Sequence, residues 1–220
     1  MGPSVVEHGP LGVAVQGERP FLARRIRARE DPVLPRAQSP EDLLFVGLGR
    51  GDRSLALSSA RLSLGARHRR RIEPYHLFWL EDPVAHDDYA GLARVADALT
   101  APVAAGEYHY GIVPFRHLLE ARAIDVVMID LLRVGGITQW MKVAGMAEAF
   151  NLPVVSHLIP EIHVHLVAAI PNGLTVEYMP WTLRLFEETP ALDGGQLVVP
   201  RKPGLGLAFD QAAITRYQVG

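Results

Sequence analysis

Five ionisable residues follow short apolar runs at regular intervals along the sequence. They are Glu81, Glu107, Asp130, His157 and Glu177, and the intervals between them are 26, 23, 27 and 20 residues. Carboxylates bind hard cations through oxygen, and imidazole titrates near neutral pH and transfers protons. Stability alone does not explain why apolar strands would end in four carboxylates and an imidazole. The pattern therefore indicates a functional site.

The elements that must position these residues are alternating strands and helices. The mean interval of 24 residues suits one βα unit. In a (β/α)8 barrel the carboxyl ends of the strands converge on one mouth, where the chemistry takes place. We therefore predict an α/β fold, a partial TIM-type barrel with about five recognisable βα units, in which the first strands are missing or degenerate. The predicted strands are His76–Leu80, Pro102–Ala105, Asp125–Ile129, Pro153–Ser156 and Leu174–Val176.

Capping signals place helices between these strands. The pair Asp87–Asp88 can cap the first helix, and a second is predicted from about Pro114 to Ala121. Thr138 can cap a third helix, which has its apolar residues at helical spacing.

Composition excludes several classes of function. The chain has 220 residues, 49% of them apolar, and a formal net charge of −2. No cysteine is present, which excludes disulfide scaffolds and thiolate chemistry. The near-neutral charge predicts no nucleic-acid partner, and no apolar run is long enough to predict a membrane partner. The start, MGPSVVEHGP, does not resemble a secretory signal, so we expect a cytoplasmic protein.

The first 72 residues differ from the rest of the chain. Residues 1–70 hold 12 of the 20 arginines and no lysine, and they show no clear strand or helix period. We predict that residues 1–72 are an atypical Arg-rich leader, poorly ordered or degenerate, and that residues 73–220 form the barrel portion. A shifted reading frame or an internally truncated gene would explain the abrupt change in composition.

Ordered motifs from residue 72 to the C-terminus resemble the enolase superfamily, and more narrowly its mandelate racemase/muconate lactonizing enzyme branch, which includes acid-sugar dehydratases. The motifs are Trp79-Leu80-Glu81-Asp82-Pro83, Gly106-Glu107, Asp130 followed by Arg133-Val134-Gly135-Gly136-Ile137, Ser156-His157, Glu177 and Gly204-Leu205-Gly206.

The resemblance implies Mg²⁺-dependent removal of the proton next to the carboxylate of a small hydroxy acid or sugar acid. It implies that Glu81 and Glu107 are metal ligands, since Mg²⁺ offsets the charge of the resulting enediolate. His157 would be the general acid/base, oriented by Asp130. Glu177 would face the substrate carboxylate as a hydrogen-bond donor, which requires a raised pKa.

Some family motifs are absent from the sequence. The family's first metal ligand lies in an Asp-x-Asn motif, but the only asparagines are Asn151 and Asn172. A third protein ligand is therefore not identifiable. The Lys-x-Lys base is also missing, because no lysine precedes Lys142, and a capping domain has no room. Dehydration by one base fits better than racemisation or epimerisation. The alternative is a catalytically inactive, truncated member or an oligomerising fragment, and we expect a homo-oligomer.

Two further histidines, His163 and His165, could chelate a metal if they lay on a strand. On a helix the two side chains diverge by about 200°. We predict partly exposed helix histidines at both positions.

Overall fold

A parallel sheet of six strands organises the part of the chain that the computed structural model describes, residues 56–58, 77–193 and 196–219. The strands lie in chain order, so each pairs with the next along the sequence. The strands are β1 (Ala56–Ser58), β2 (Trp79–Glu81), β3 (Val103–Ala105), β4 (Val126–Asp130), β5 (Val154–His157) and β6 (Gly173–Thr175).

Helices connect the successive strands from β2 onward. They are α1 (Tyr89–Ala98), α2 (Val113–Glu120), α3 (Leu131–Val134), α4 (Ile137–Ala149) and α5 (Pro160–Ala168). After β6 come a 3₁₀ turn (Leu183–Leu185), a short antiparallel pair β7 (Leu192–Asp193) and β8 (Gln196–Leu197), and a final helix α6 (Gln211–Tyr217).

The two faces of the sheet have separate apolar cores. Alternate residues of a strand point to opposite faces. In β4, Val127 and Ile129 belong to the large core beneath the helices, with Leu92, Phe115 and Trp140. The other face carries a small cluster that contains Trp79, Ala104, Val126, Met128 and Val155. Strands that are buried on both sides read as continuous apolar runs, which is why the strands were visible in the sequence.

The structure confirms the predicted α/β fold and the alternation of strands and helices. Asp88 caps α1 by accepting a hydrogen bond from the Gly91 N–H at 2.7 Å. The prediction that Thr138 caps a helix is wrong: α4 begins at Ile137 after Gly136, and no side chain caps it.

Strand β1 adds a parallel partner for β2 upstream of the five predicted units. Apart from β1, the predicted leader of residues 1–72 lies outside the described residues, so the domain boundary stays a prediction. No helix among the described residues is long and apolar enough to cross a membrane.

Candidate active site at the carboxyl ends of the strands

Three of the predicted site residues are the last residues of their strands. Glu81 ends β2, Asp130 ends β4 and His157 ends β5. In β4 and β5, strand alternation places Asp130 and His157 on the same face as Met128 and Val155 of the small cluster. These side chains therefore point to the side of the sheet that faces away from the helices.

Glu107 reaches the site because of a glycine turn. Simple alternation after β3 would place residue 107 on the helix-covered face with Val103 and Ala105. Gly106 has φ +134°, which breaks the alternation. A Cβ at this position would lie 2.4 Å from the Met128 carbonyl oxygen and 2.8 Å from the Phe115 ring. Glycine is thus required both by the backbone angle and by the close approach of β4.

His157 joins two carboxylates. Its Nδ1 lies 2.8 Å from Asp130 Oδ2, and its Nε2 lies 3.3 Å from Glu107 Oε2. Burial lowers the pKa of His157, but the Asp130 hydrogen bond and the charges of Glu107 and Glu177 outweigh burial, so the pKa is raised overall. The ring is therefore placed to receive a proton.

Asp130 is held by the backbone as well as by His157. It caps α3, where its Oδ1 accepts hydrogen bonds from the N–H groups of Leu132 at 2.8 Å and Arg133 at 2.7 Å. Burial raises the pKa of Asp130, but the hydrogen bonds from His157 and these two amides outweigh it, and the pKa is lowered. Asp130 therefore stays ionised and fixes the orientation of the imidazole.

Glu81, Asp82 and Glu107 form a buried group of carboxylates. One oxygen from each lies within 4.8 Å of the others. Glu81 Oε2 accepts a hydrogen bond from the Trp79 indole at 3.0 Å, and Glu107 Oε1 lies 3.8 Å from the Arg133 guanidinium. Hard oxygen donors at this spacing suit Mg²⁺.

The charges in this group are costly without a cation. Burial, the largest cause, and repulsion from neighbouring carboxylates raise the pKa of Glu81 to about 7 and that of Asp82 to about 8. Buried charges are normally paired or coordinate a metal. The cluster is thus arranged for a positive ligand.

Glu177 follows β6 and is tied to the end of β5. Its Oε2 accepts a hydrogen bond from the Leu158 N–H at 2.7 Å, and its own N–H donates to Ser156 Oγ at 2.9 Å. Burial is the largest of the causes that raise the pKa of Glu177. A carboxyl group with a raised pKa can donate a hydrogen bond, which the predicted role requires.

All five predicted residues therefore lie around one end of the sheet, and two neighbours were missed. Asp82 belongs to the carboxylate group, and Arg133 donates to the Glu107 carbonyl at 3.2 Å. Both stand inside motifs that were visible in the sequence. Strand alternation alone would point Asp82 away from Glu81, but Asp82 has φ +42°, which lies outside the strand region.

His163 and His165 lie on helix α5, as predicted, but of the two only His165 is partly exposed. His165 Nε2 lies 3.0 Å from the Leu205 carbonyl. The prediction of partial exposure is wrong for His163, which is fully buried with its Nδ1 2.7 Å from the Leu158 carbonyl. Helix α5 is covered on more than one side, which a helical period cannot reveal.

Comparison with known proteins decides the family. The sequence profile of the enolase C-terminal domain-like family matches residues 62–213. The chain belongs to this family. One curated relative is the D-xylonate dehydratase of Haloferax volcanii, which is 36% identical over 157 residues. The matched residues cover 67% of this chain and 38% of the relative. The L-talarate/galactarate dehydratase of Salmonella typhimurium is 33% identical over 147 residues, covering 67% and 37%.

Solved structures share the fold of this part of the chain. The L-talarate dehydratase from Polaromonas sp. JS666, crystallised with Mg and L-glucarate, is 38% identical and superimposes with a TM-score of 0.65 over 68% of this chain and 42% of that chain. An enolase from Bradyrhizobium, crystallised with magnesium and mandelic acid, is 33% identical with a TM-score of 0.70 over 76% and 47%. The chain thus spans less than half the length of each of these four proteins.

Proposed function

We propose that this chain binds Mg²⁺ through Glu81 and Glu107 and uses His157, oriented by Asp130, to remove the proton next to the carboxylate of a sugar acid. The position of His157 between two carboxylates supports the proposal most directly. Its Nδ1 lies 2.8 Å from Asp130 and its Nε2 lies 3.3 Å from Glu107. This position places a proton acceptor beside a carboxylate that suits a hard cation.

The residues present fit the metal. Glu81 and Glu107 are both buried, and their oxygens belong to the carboxylate group whose members lie within 4.8 Å of one another. When bound, Mg²⁺ supplies a Lewis acid that lowers the energy of negative charge developing on the substrate carboxylate. Trp79 holds Glu81 and Arg133 holds Glu107, so the two ligands are pre-positioned.

His157 and Asp130 divide the proton transfer between them. Asp130 accepts the hydrogen bond from Nδ1–H and thereby fixes the tautomer in which Nε2 is the free base. Nε2 takes the substrate proton, and the ionised Asp130 stabilises the imidazolium that results. This assignment gives His157 a pKa suited to accepting a proton and later returning it.

Glu177 is proposed to donate a hydrogen bond to the substrate carboxylate. Its Oε2 is already bound to the Leu158 amide, so the proton must lie on the other oxygen. A neutral carboxyl group next to the substrate adds no negative charge where an enediolate is forming. The raised pKa of Glu177 supports this role.

Dehydration is the reaction that the residues of the cluster favour. Removal of the α-proton by His157 and departure of the β-hydroxyl with that proton, as water, leave an enol that becomes a 2-oxo-3-deoxy acid. Epimerisation needs a base on the opposite face, and His157 is the one imidazole in the described cluster around Glu107. The two relatives named above are sugar-acid dehydratases, which supports a polyhydroxy acid as substrate.

Exchange of the substrate α-proton with solvent tests the proposed function. The full chain with Mg²⁺ in D₂O is incubated with D-xylonate, galactarate or D-galactonate, and NMR follows loss of the α-proton signal and formation of the 2-oxo-3-deoxy acid. With at least one substrate we expect both the loss of the α-proton signal and the formation of the 2-oxo-3-deoxy acid. Neither change should occur when EDTA removes Mg²⁺. Absence of exchange with a folded, Mg²⁺-loaded chain would favour the alternative of an inactive family member.

The organisation of the chain and its assembly are also proposals. We propose that residues 73–220 are the barrel portion, that residues 1–72 are an atypical Arg-rich leader that contributes β1 to the sheet, and that the chain forms a homo-oligomer with a small carboxylate as its other partner. Exposed apolar side chains at Tyr110 and Leu132, each 71% exposed, support association. Light scattering on the purified chain measures the oligomeric state. Cytoplasmic location stays a prediction from the sequence.

A further inference from the structure

Glu81 and Glu107 leave the proposed cation with only two protein ligands. Mg²⁺ requires six oxygens in near-octahedral geometry and usually takes one or two carboxylates plus waters and substrate. The sequence contains no Asp-x-Asn motif to supply a further ligand. The described residues nonetheless place a third carboxylate beside these two.

Asp82 is buried and aimed into the same group. The residue is 8% exposed, and one of its carboxylate oxygens lies within 4.8 Å of the oxygens of Glu81 and Glu107. Its Oδ1 is buried and has no hydrogen-bond partner among the described residues. An unpaired buried carboxylate oxygen is costly, and metal coordination is one of the few ways to satisfy it.

The backbone explains how two consecutive residues can share a cation. Neighbouring side chains of a strand point to opposite faces. Asp82 has φ +42°, in the left-handed region that residues other than glycine rarely adopt. Pro83 follows and restricts the turn further. This turn brings the Asp82 carboxylate to the side of Glu81, and strained residues of this kind persist where the surrounding structure holds them.

We propose that Asp82 is the third protein ligand of the Mg²⁺ site in this chain, in place of the missing Asp-x-Asn aspartate. The inference rests on the proposed metal-binding function of Glu81 and Glu107. It assigns to the second acidic residue of Glu81-Asp82-Pro83 a direct contact with the cation. The site is then built from two adjacent residues on β2 and its exit turn, and one residue after β3.

Calorimetric titration of the full chain with Mg²⁺ tests this assignment. The test variants are Asp82→Asn, which keeps an oxygen donor but removes the charge, and Asp82→Ser, which removes both carboxylate oxygens. The matched control is Asp87→Asn, which makes the same change of charge at an exposed position five residues further along. Loss of residues that merely support metal ligands costs about 10–100-fold in affinity, so we expect about 100-fold weaker binding for both Asp82 variants.

Thermal unfolding with and without Mg²⁺ separates a ligand from a structural residue. A cation that binds only the folded chain raises its melting temperature. We expect wild type and Asp87→Asn to show this rise, and the Asp82 variants to lose it while unfolding no earlier than wild type without Mg²⁺. Relief of repulsion among three buried carboxylates explains the second expectation.

The outcomes distinguish this inference from the proposed function. If Glu81→Gln abolishes Mg²⁺ binding while a folded Asp82→Asn or Asp82→Ser variant binds as wild type does, Asp82 is not a ligand and the proposed function stands. If the wild-type chain binds no Mg²⁺, both fail. Equal losses in Asp82→Asn and Asp87→Asn would show a distant charge effect and would also overturn the assignment.

Discussion

His157 and His163 lie six residues apart and are both buried, yet their pKa values are shifted in opposite directions. His157, at the carboxyl end of β5, has a raised pKa because Asp130 and Glu107 outweigh the effect of burial. His163, on α5, has its pKa lowered to about 4 because burial outweighs the hydrogen bond between its Nδ1 and the Leu158 carbonyl. The comparison shows that burial alone keeps an imidazole neutral, and that carboxylates at the strand ends favour its protonated form.

The same contrast separates two regions of the molecule. The layer between sheet and helices is apolar, and His163 lies there with its ring centroid 6.0 Å from that of Trp140. The carboxyl ends of the strands gather the acidic residues instead. One layer thus stabilises the fold while the strand ends are available for chemistry.

The largest expected effect is loss of His157, the proposed base at the strand ends. His157→Asn should slow exchange of the substrate α-proton about 1,000-fold, within the range that a general base contributes. NMR in D₂O with the active substrate measures the rate. His163→Gln is the control from the apolar layer and should retain exchange; equal losses in both variants would mean that the two histidines are not functionally distinct.

The boundary between the two regions depends on Gly106. Gly106→Ala should lower the free energy of unfolding by about 3 kcal/mol or more, because the new Cβ would overlap the Met128 carbonyl and the Phe115 ring. Urea denaturation measures the change. Gly111→Ala is the matched control, since Gly111 also has positive φ but has open space around it. It should cost only about 1–2 kcal/mol. Equal costs would show that the close approach is unimportant.

Acid should weaken the fold through His163. Its pKa is about 4 in the folded chain and near 6.5 in the unfolded chain. The unfolded chain therefore binds a proton first, and the free energy of unfolding should fall as pH decreases from about 6.5 to about 4, by about 3 kcal/mol from this group. The stability is fully present above pH 6.5. Urea denaturation across this range should show a shallower decline for His163→Gln than for wild type; identical slopes would contradict the neutral, buried state.

Asp130→Asn should reduce α-proton exchange by a smaller factor, about 100-fold, because the imidazole remains but loses its orienting partner. The variant also lowers the His157 pKa, since the hydrogen bond that raises it is weakened. The base is active when neutral, so the acid limb of the pH–rate profile should move to lower pH. A rate loss without this movement would indicate a purely structural role for Asp130.

Sequence reasoning could place the strands and the ends of most of them. Strands buried on both faces give apolar runs, and the acidic or imidazole residue that closes each run marks its carboxyl end. Asp88 as a cap was also predictable, because side-chain capping depends on local sequence. The structure brings Glu81, Glu107, Asp130, His157 and Glu177 to one end of the sheet, while their catalytic roles stay proposals.

What the sequence could not show depends on backbone angles and long-range contacts. Asp82 joins the carboxylate group through a left-handed turn, which a period of two does not predict. Helix α4 begins at Ile137 directly after Gly136 and has no side-chain cap, so the cap predicted at Thr138 does not form. The full burial of His163 results from packing around α5, which a helical period does not contain.

The bond from the Leu158 amide to Glu177 gives the molecule an internal reporter. An N–H held by a side chain exchanges its hydrogen with solvent only when that side chain turns away. A substrate that accepts a hydrogen bond from the other oxygen of Glu177 should hold this side chain in place and therefore slow the exchange of one backbone hydrogen next to the end of β5. Occupancy of the candidate active site then becomes readable in a single amide resonance, without a label on the ligand and without turnover.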